Sequence, residues 1–596
     1  MSSKFGGFAS TLVYLNLSSS FFGGRVPLEV SRLSKLVSLD LSSEYYQPPV
    51  LDKVTFGRLV GSLTKLRHLT LDGIDMSSIN TSHALMNLSS SLRSLSLSDC
   101  DLRGKFPSEI LHLSKLVSLD LSWNFDEPID KVTFDRLGRN LTELRQLSLS
   151  GINMSSITPH ALMNLSSSLR SLRLKNCDLR GDIPENIFKR PNLKLLDLGG
   201  NQNLNVPKLN HSSNLEVLGL SDMSISTEVL DSVCSLQSLK HLYLIQASFP
   251  GGRGFPLSIM NLSSLELLYA DGAQFSRGVS VLPVSIGNLV SLQYLSLSNC
   301  SLTGSIPTSL GNLSQLSVLE LSVNQFGGKI PSSLANLRQL KYLNLGDNQL
   351  EGRIPDEDSL RYLNLAHNSL IKVEQLPWTV LDSLDLSCNA IHGHLPIPPH
   401  GTTAFLISNN SLSGEIASLI CNVTSLQILD LSSNNLIGVL PHCLGNFSNS
   451  LSTLNLGMNK LHGIIPPIYA KDCQLSYLNL NGNHFEGPLP RSIRNCRELE
   501  VLDVGNNKIK VSKGCSNNEP PPSNLSGGND GSNSNITFGW KVVVIGYGCG
   551  LVFGLIAGYV VFQTGKPKWF VTLVEDQQHG RQKNPKIGNR SGGRRI

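Results

Sequence analysis

One phrase recurs along this chain, L-x-x-L-x-L-x-x-(N/C)-x-L-x-G, often continued as x-(I/L/F)-P and closed by x-x-(I/L)-x-N-L. Well-formed copies begin at Leu92, Leu292, Leu316, Leu340, Leu426, Leu451 and Leu475. Degenerate copies fill the intervals, giving about 21 in all, with starts mostly 20 to 30 residues apart from Leu12 to Leu499. A unit this short cannot bury its own leucines, so it must stack on its neighbours.

The period predicts an α/β-type solenoid, a leucine-rich repeat horseshoe or superhelix with a parallel β-sheet on its concave face. In L-x-x-L-x-L the last two leucines alternate with polar residues, so they face one side of a short strand and their neighbours the other. About 21 strands at ~4.8 Å each make a body about 100 Å long. The repeat Asn is expected to turn inward and satisfy backbone groups freed as each coil bends. Cys100, Cys177 and Cys300 occupy that slot and read as structural. A composition of 40% hydrophobic, 16% charged and 6% aromatic residues fits neither several separate globular cores nor a disordered chain, and the glycines lack the collagen period. Residues 33–109 nearly repeat as 113–186, with DKVTFGRL against DKVTFDRL, and carry repeats of 26 to 30 residues. Their extra loops, such as Glu44 to Leu51, are expected to leave the coil on its outer or lateral side.

The domain plan is an N-terminal segment over 1–11 that reads as incomplete, with neither signal peptide nor cap, then repeats over 12–510. A Pro/Ser/Asn/Gly-rich linker over 511–541 follows, then a transmembrane helix over 542–562 and a short tail over 563–596. The 21 uncharged residues Val542 to Phe562 are long enough to span a bilayer. Within them Gly546, Gly550, Gly554 and Gly558 form one stripe suited to a helix–helix contact. The tail holds eight Lys and Arg against Glu575 and Asp576, which places it in the cytoplasm and the repeats outside, a single-pass type I arrangement at the plasma membrane. The rest of the chain is then nearly neutral, which argues against nucleic acid as a partner. Sequons at Asn16, Asn80, Asn87, Asn140, Asn153, Asn164, Asn210, Asn261, Asn299, Asn312, Asn409, Asn422, Asn446, Asn524 and Asn535 favour the secretory pathway.

No motif for a catalytic, phosphate-binding or metal centre is present, so neither enzyme nor cofactor is expected. His392, His394 and His400 read as exposed loop histidines rather than metal ligands. Cys421 with Cys443, and Cys473 with Cys496, fall in adjacent repeats at similar register, where either a disulfide or free buried thiols would fit. The residue between the two strand leucines is usually Asp, Asn or Ser. The middle repeats depart from this with Arg173, Gly219, Tyr243, Tyr269 and Glu320, and Lys175, His241, Gln246 and Asp271 lie beside them. Exposed aromatic and charged groups on a scaffold mark this strip as the candidate ligand surface, with simple repeat drift as the alternative.

The L-x-G-x-I-P form of the repeat (LTGSIPTSLGNLSQL, FGGKIPSSLANLRQL) and the phrase FGWKVVVIGYGCGLVFGLIAGYVVFQTGKPKWFVTLVE resemble plant leucine-rich repeat receptor-like proteins of the disease-resistance type. The resemblance implies a kinase-less cell-surface receptor that binds an extracellular peptide, protein or glycan and signals through receptor-like kinases, partly by its G-x-x-x-G membrane helix. It also implies truncation. The final repeat LEVLDVGNNKIK breaks off into VSKGCSNNEPPP, where family members continue through an island and further repeats. A non-signalling inhibitory or structural repeat protein, or a decayed gene copy, is the other reading.

Overall fold

The computed structural model describes residues 7–510, except 21, 44–47, 80–84, 210–212, 253, 276–279, 353, 355–358, 374–375, 377–378, 446–449 and 468. Among the described residues, 21 three-residue strands, from Tyr14–Asn16 to Val501–Asp503, form one parallel sheet. Each pairs in register with the strands of the neighbouring coils, as Leu319 opposite Leu343 and Leu454 opposite Leu478 illustrate. The central residue of each strand, a leucine except for Phe405, lies on the inward side, and Leu242, Leu268, Leu295 and Leu319 are all wholly buried. Burial of one such side chain is worth about 2 kcal/mol, and the repetition builds a continuous core.

The repeat asparagines close each coil from inside. Asn324 donates from Nδ2 to the carbonyls of Leu297 (2.8 Å), Leu321 (3.0 Å) and Ser322 (3.0 Å). Its Oδ1 accepts from the amides of Cys300 (3.1 Å) and Leu302 (2.9 Å) in the coil before. Where Cys replaces Asn, the thiol keeps part of this role: Cys300 Sγ donates to Ala270 O at 3.0 Å and Cys177 Sγ to Leu149 O at 3.2 Å. Burial pushes both thiols up to about 12, so they are poor nucleophiles at neutral pH.

Opposite the sheet, most coils return through a single 3-10 turn. Pro107, Pro283, Pro307, Pro331 and Pro490 stand at its N-cap with φ between −64° and −74°. The next leucine of the core follows so soon that only five residues remain for the turn, too few for a settled α-helix. The long repeats differ from the expectation of plain loops. DKVTF opens an α-helix in both copies, Lys53–Ser62 and Lys131–Asn140. The Asp52 carboxylate accepts from the amides of Val54 and Thr55, both at 3.0 Å, and Asp130 accepts from the Thr133 amide at 2.9 Å and its hydroxyl at 2.7 Å. These bonds hold both carboxyls below the usual range, led by the Thr55 amide for Asp52 and the Thr133 hydroxyl for Asp130. Asp52→Ala is expected to cost about 1 kcal/mol in chemical denaturation, and Asp52→Ser to recover most of it.

A second set of short parallel strands lies along one flank. Six run from His392–Gly393 to Lys508–Ile509, four from Ser280–Val281 to Gln349–Glu351, and two pair as Gly181–Asp182 with Leu204–Asn205. They arise from the L-x-G-x-(I/L)-P phrase, whose glycine takes a left-handed conformation, as Gly304 does at φ 80°. In the coils that carry long helices this flank shrinks to the isolated bridges Arg25 to Val50 and Val50 to Asp75.

Candidate functional site

The outward residues of the sheet form two columns, one on each side of the buried leucines. In the column after the leucine, Asp197, Gly219, Tyr243, Tyr269, Ser296, Glu320 and Asn344 stand opposite one another in consecutive coils. At Gly219 a Cβ would come 2.4 Å from Asp197 Oδ1, so a larger residue would have to displace the Asp197 side chain. The expected ligand residues therefore lie along one strip. Arg173 sits one coil before Asp197, so Arg173 and Glu320 are about 30 Å apart at ~4.8 Å per strand.

Exposure divides them. Arg173 and Gln246 are exposed, and Lys175, His241, Tyr269, Asp271 and Glu320 are half-buried. Tyr243 departs from the expectation of an exposed anchor, being only 6% exposed. Its ring is packed between the flanking coils, and burial raises its hydroxyl above the ordinary tyrosine range. His241 has Glu266 Oε2 at 3.9 Å from its Nε2, yet burial dominates and lowers its pKa.

The column before the leucine holds what the sequence reading missed. Tyr294, Tyr342 and Tyr362 stand in it with His241, and these three tyrosines are not among the expected ligand residues. The signal was available in YLS, YLN and YLN, where Tyr directly precedes the strand leucine. Tyr269 and Tyr294 rings lie 5.6 Å apart, and those of Tyr342 and Tyr362 stack at 4.3 Å. Glu320 is bonded to the second pair: its Oε2 accepts from Asn344 Nδ2 (2.9 Å) and Tyr342 Oη (3.3 Å), and its Oε1 from the Ser322 amide (3.0 Å). Burial pushes the Glu320 carboxyl up to about 7 despite these bonds, and Asp271 up to about 6. Asp271 is held by Ser296 Oγ at 2.5 Å and the Ser298 amide at 2.9 Å. The middle of the face is thus an array of tyrosine rings and pinned carboxyls that offers stacking surface and hydrogen-bond acceptors.

The structure bridges Cys421 to Cys443 and Cys473 to Cys496, with Cα separations of 5.7 and 4.5 Å. Asn87, Asn164, Asn261, Asn312 and Asn422 end turns on the side opposite the sheet and are exposed, so glycans there would leave the face open. Asn140, Asn299 and Asn409 are also exposed, Asn153 is half-buried, and Asn16 lies on the first strand of the sheet itself. Asn80, Asn210, Asn446, Asn524 and Asn535 lie outside the described residues, as do Gly546, Gly550, Gly554, Gly558 and the whole span 542–562. Among the described residues no helix is long and apolar enough to cross a membrane. Among them, too, no group of three or more His, Cys, Asp or Glu is placed to hold a metal ion. His392 and His394 are exposed, and His400 Nδ1 meets the Asn422 carbonyl at 3.1 Å.

With this geometry in hand, comparison with known proteins is informative. A family model described as leucine-rich repeat region matches residues 169–388, and one for the single leucine-rich repeat matches 91–113, 425–447 and 474–496. Receptor-like protein 6 of Arabidopsis thaliana is 30% identical over 567 aligned residues, covering 76% of this chain and 51% of that protein. Receptor-like protein 54 of the same plant is 32% identical over 176 residues, covering 25% and 22%. Receptor-like protein 9DC1 of Solanum pimpinellifolium is 39% identical over 140 residues, covering 23% and 16%. The chain spans about half the length, or less, of these relatives. Among solved structures, the Arabidopsis receptor kinase HAESA ectodomain, in complex with an extended IDA peptide hormone, superposes with a TM-score of 0.55 at 27% identity, covering 84% of this chain and 83% of that one. The plant peptide hormone receptor RGFR1, in complex with RGF2, gives 0.52 at 25%, covering 82% and 80%. Repeat, sheet and relatives agree: the chain is a leucine-rich repeat protein, similar over about three quarters of its length to a plant receptor-like protein.

Proposed function

We propose that this protein is a single-pass cell-surface receptor of plant defence, whose open sheet face binds an extracellular peptide and whose membrane helix passes that event to a partner receptor kinase. The observation that carries this reading is the group of Tyr269 and Glu320, which interrupt the Asp, Asn and Ser column after the leucine, with Tyr294, Tyr342 and Tyr362 of the column before it, two ring pairs beside a pinned carboxyl. Peptide-bound HAESA and RGFR1, similar over more than four fifths of this chain, support a peptide as the ligand. In this reading a receptor kinase partner carries the signal inward, and the four-residue spacing of Gly546, Gly550, Gly554 and Gly558 suits a close helix contact with it.

The test uses the full chain in plant membranes, exposed to an extracellular peptide fraction carrying a photo-crosslinker. Label is expected on the coils between Tyr243 and Asp385, and Tyr269→Ala with Tyr342→Ala is expected to lower it at least tenfold without loss of the folded protein. Label spread evenly over the solenoid, or unchanged in the double variant, overturns the reading.

A further inference from the structure

The residue just before each strand forms a third column along the edge of the face. Backbone bonds fix its order: the amides of Arg93, Val117, Arg145, Arg170 and Lys194 donate in turn to the carbonyls of Arg67, Arg93, Val117, Arg145 and Arg170. Arg67, Arg93, Arg145, Arg170 and Lys194 are therefore stacked over five strand intervals, about 24 Å, and all are exposed. Lys65 and Lys115, two residues earlier in their coils, are exposed beside them.

Further along the same column the pattern changes. Lys240 meets Glu266 at 3.2 Å and Arg361 meets Asp382 at 3.1 Å, and Lys194 is itself joined to Glu216. Among the described residues, Arg67, Arg145 and Arg170 have no carboxylate within ion-pair distance, and Arg93 has only Glu143, at 3.9 Å and exposed. Like charges held side by side at ~4.8 Å repel, and nothing in the fold requires them at exposed positions. The acids nearest along the strands, Asp40, Asp72 and Asp120, stand farther along their coils and accept from serines, as Asp72 does from Ser96 Oγ at 2.7 Å and the Ser98 amide at 2.8 Å.

We propose that this basic row binds an acidic segment, about seven residues long, of an extended peptide. The length follows from the row, since 24 Å is spanned by about seven residues at ~3.4 Å each. A peptide fits better than a uniform polyanion because the positive stretch ends at Lys194 and the face beyond it carries Asp271, Glu320 and Asp385 among tyrosines. A chain acidic at one end and apolar at the other matches both stretches, whereas a long polyuronate, charged throughout, would meet Lys240 and Arg361 already paired with Glu266 and Asp382 on the second. The inference deepens the peptide-receptor reading and rests on it for the ligand class.

The experiment measures binding of a fluorescent hepta-glutamate peptide to the full chain at low salt. Arg67→Gln with Arg145→Gln and Arg170→Gln is expected to weaken binding about tenfold, while Lys240→Gln with Lys341→Gln and Arg361→Gln, in the same column farther on, leaves it within twofold. All six positions are exposed, and an unchanged thermal transition certifies the fold. Equal loss in both triple variants, or none in either, overturns the proposal. So does polygalacturonate binding to the row at a concentration where the peptide does not, which would make the partner a polysaccharide. Crosslinking at Tyr269 and Tyr342 is read separately, so a failure of the basic row leaves that result standing and a failure there leaves this one.

Discussion

Replacing Asn348 by Leu is expected to lower the stability of its part of the solenoid by at least about 3 kcal/mol. Asn348 is 8% exposed and makes four bonds at once. Its Nδ2 donates to the carbonyls of Leu321 (3.0 Å), Leu345 (3.1 Å) and Gly346 (3.0 Å), and its Oδ1 accepts from the Phe326 amide at 3.0 Å. Leucine has similar volume but leaves these groups unmet inside the coil, at about 1–3 kcal/mol for each buried group that water cannot reach. Cysteine at the same place should fall between the two. In the native chain Cys300 fills this slot and its thiol reaches Ala270 O at 3.0 Å and Ser298 O at 3.4 Å, but sulfur has no good acceptor for the amide of the coil before. Stacked repeats communicate chiefly with their neighbours, so the readout is hydrogen exchange at Phe326 and Leu345 alongside the urea midpoint. If Asn348→Leu and Asn348→Cys exchanged alike, the inward amide would not be what closes the coil.

The same regularity explains what could be read from the residues. Each coil needs its own leucines, so the leucine phrases mark the strands one by one, from Leu12 before Tyr14–Asn16 to Leu499 before Val501–Asp503. In a solenoid, sequence offset translates directly into distance, and Cys421 and Cys443, separated by 22 residues, are brought to neighbouring positions. The helices Lys53–Ser62 and Lys131–Asn140 were harder. Their buried residues, Thr55, Phe56, Leu59 and Val60 and their counterparts Thr133, Phe134, Leu137 and Gly138, do fall at helical spacing behind an Asp-x-x-Thr cap, but over only ten residues within a leucine pattern that dominates the chain. The flanking strands of two to five residues are too short for any alternation to show. At the candidate site, single positions such as Tyr269 and Glu320 were visible as departures from Asp, Asn and Ser. The bond of Glu320 to Tyr342 and the ring contact of Tyr269 with Tyr294 were not, because each depends on the pairing of two columns across coils. The burial of Tyr243 likewise is set by its neighbouring coils and not by its own position in the repeat.

The full chain is expected to become more stable as pH falls from 8 to about 5, against the usual behaviour of a protein held by ionised carboxylates. Burial pushes Asp72 and Glu320 up to about 7, and Asp271 and Asp385 up to about 6. A carboxyl whose folded pKa exceeds its unfolded value favours the folded state most when protonated. Its contribution is complete below the unfolded pKa, near 4, and is lost as pH rises through 6 to 7. The Asp72, Asp271 and Glu320 carboxyls each keep some contact with water on the open face, which screens the penalty, so the four together are expected to shift stability by on the order of 3 kcal/mol rather than their full sum. His241 opposes them. Its lowered pKa makes it a group whose contribution is present above about 6.5 and lost below, but it is one group against four. Asp52 and Asp130, held low by their cap bonds, act only at more acidic pH, where their contribution disappears as pH drops through their folded values. Glu320→Gln with Asp271→Asn removes two of the rising carboxyls while keeping acceptors for Ser322, Ser296 and Ser298. The double variant should be more stable than the native chain at pH 8, equal to it near pH 5, and flatter between. Thermal or urea midpoints at pH 8, 6.5 and 5 decide the matter, and a native midpoint that falls steadily from pH 8 to 5, with the variant tracking it, would show that water solvates these carboxyls in the folded state as freely as in the unfolded chain.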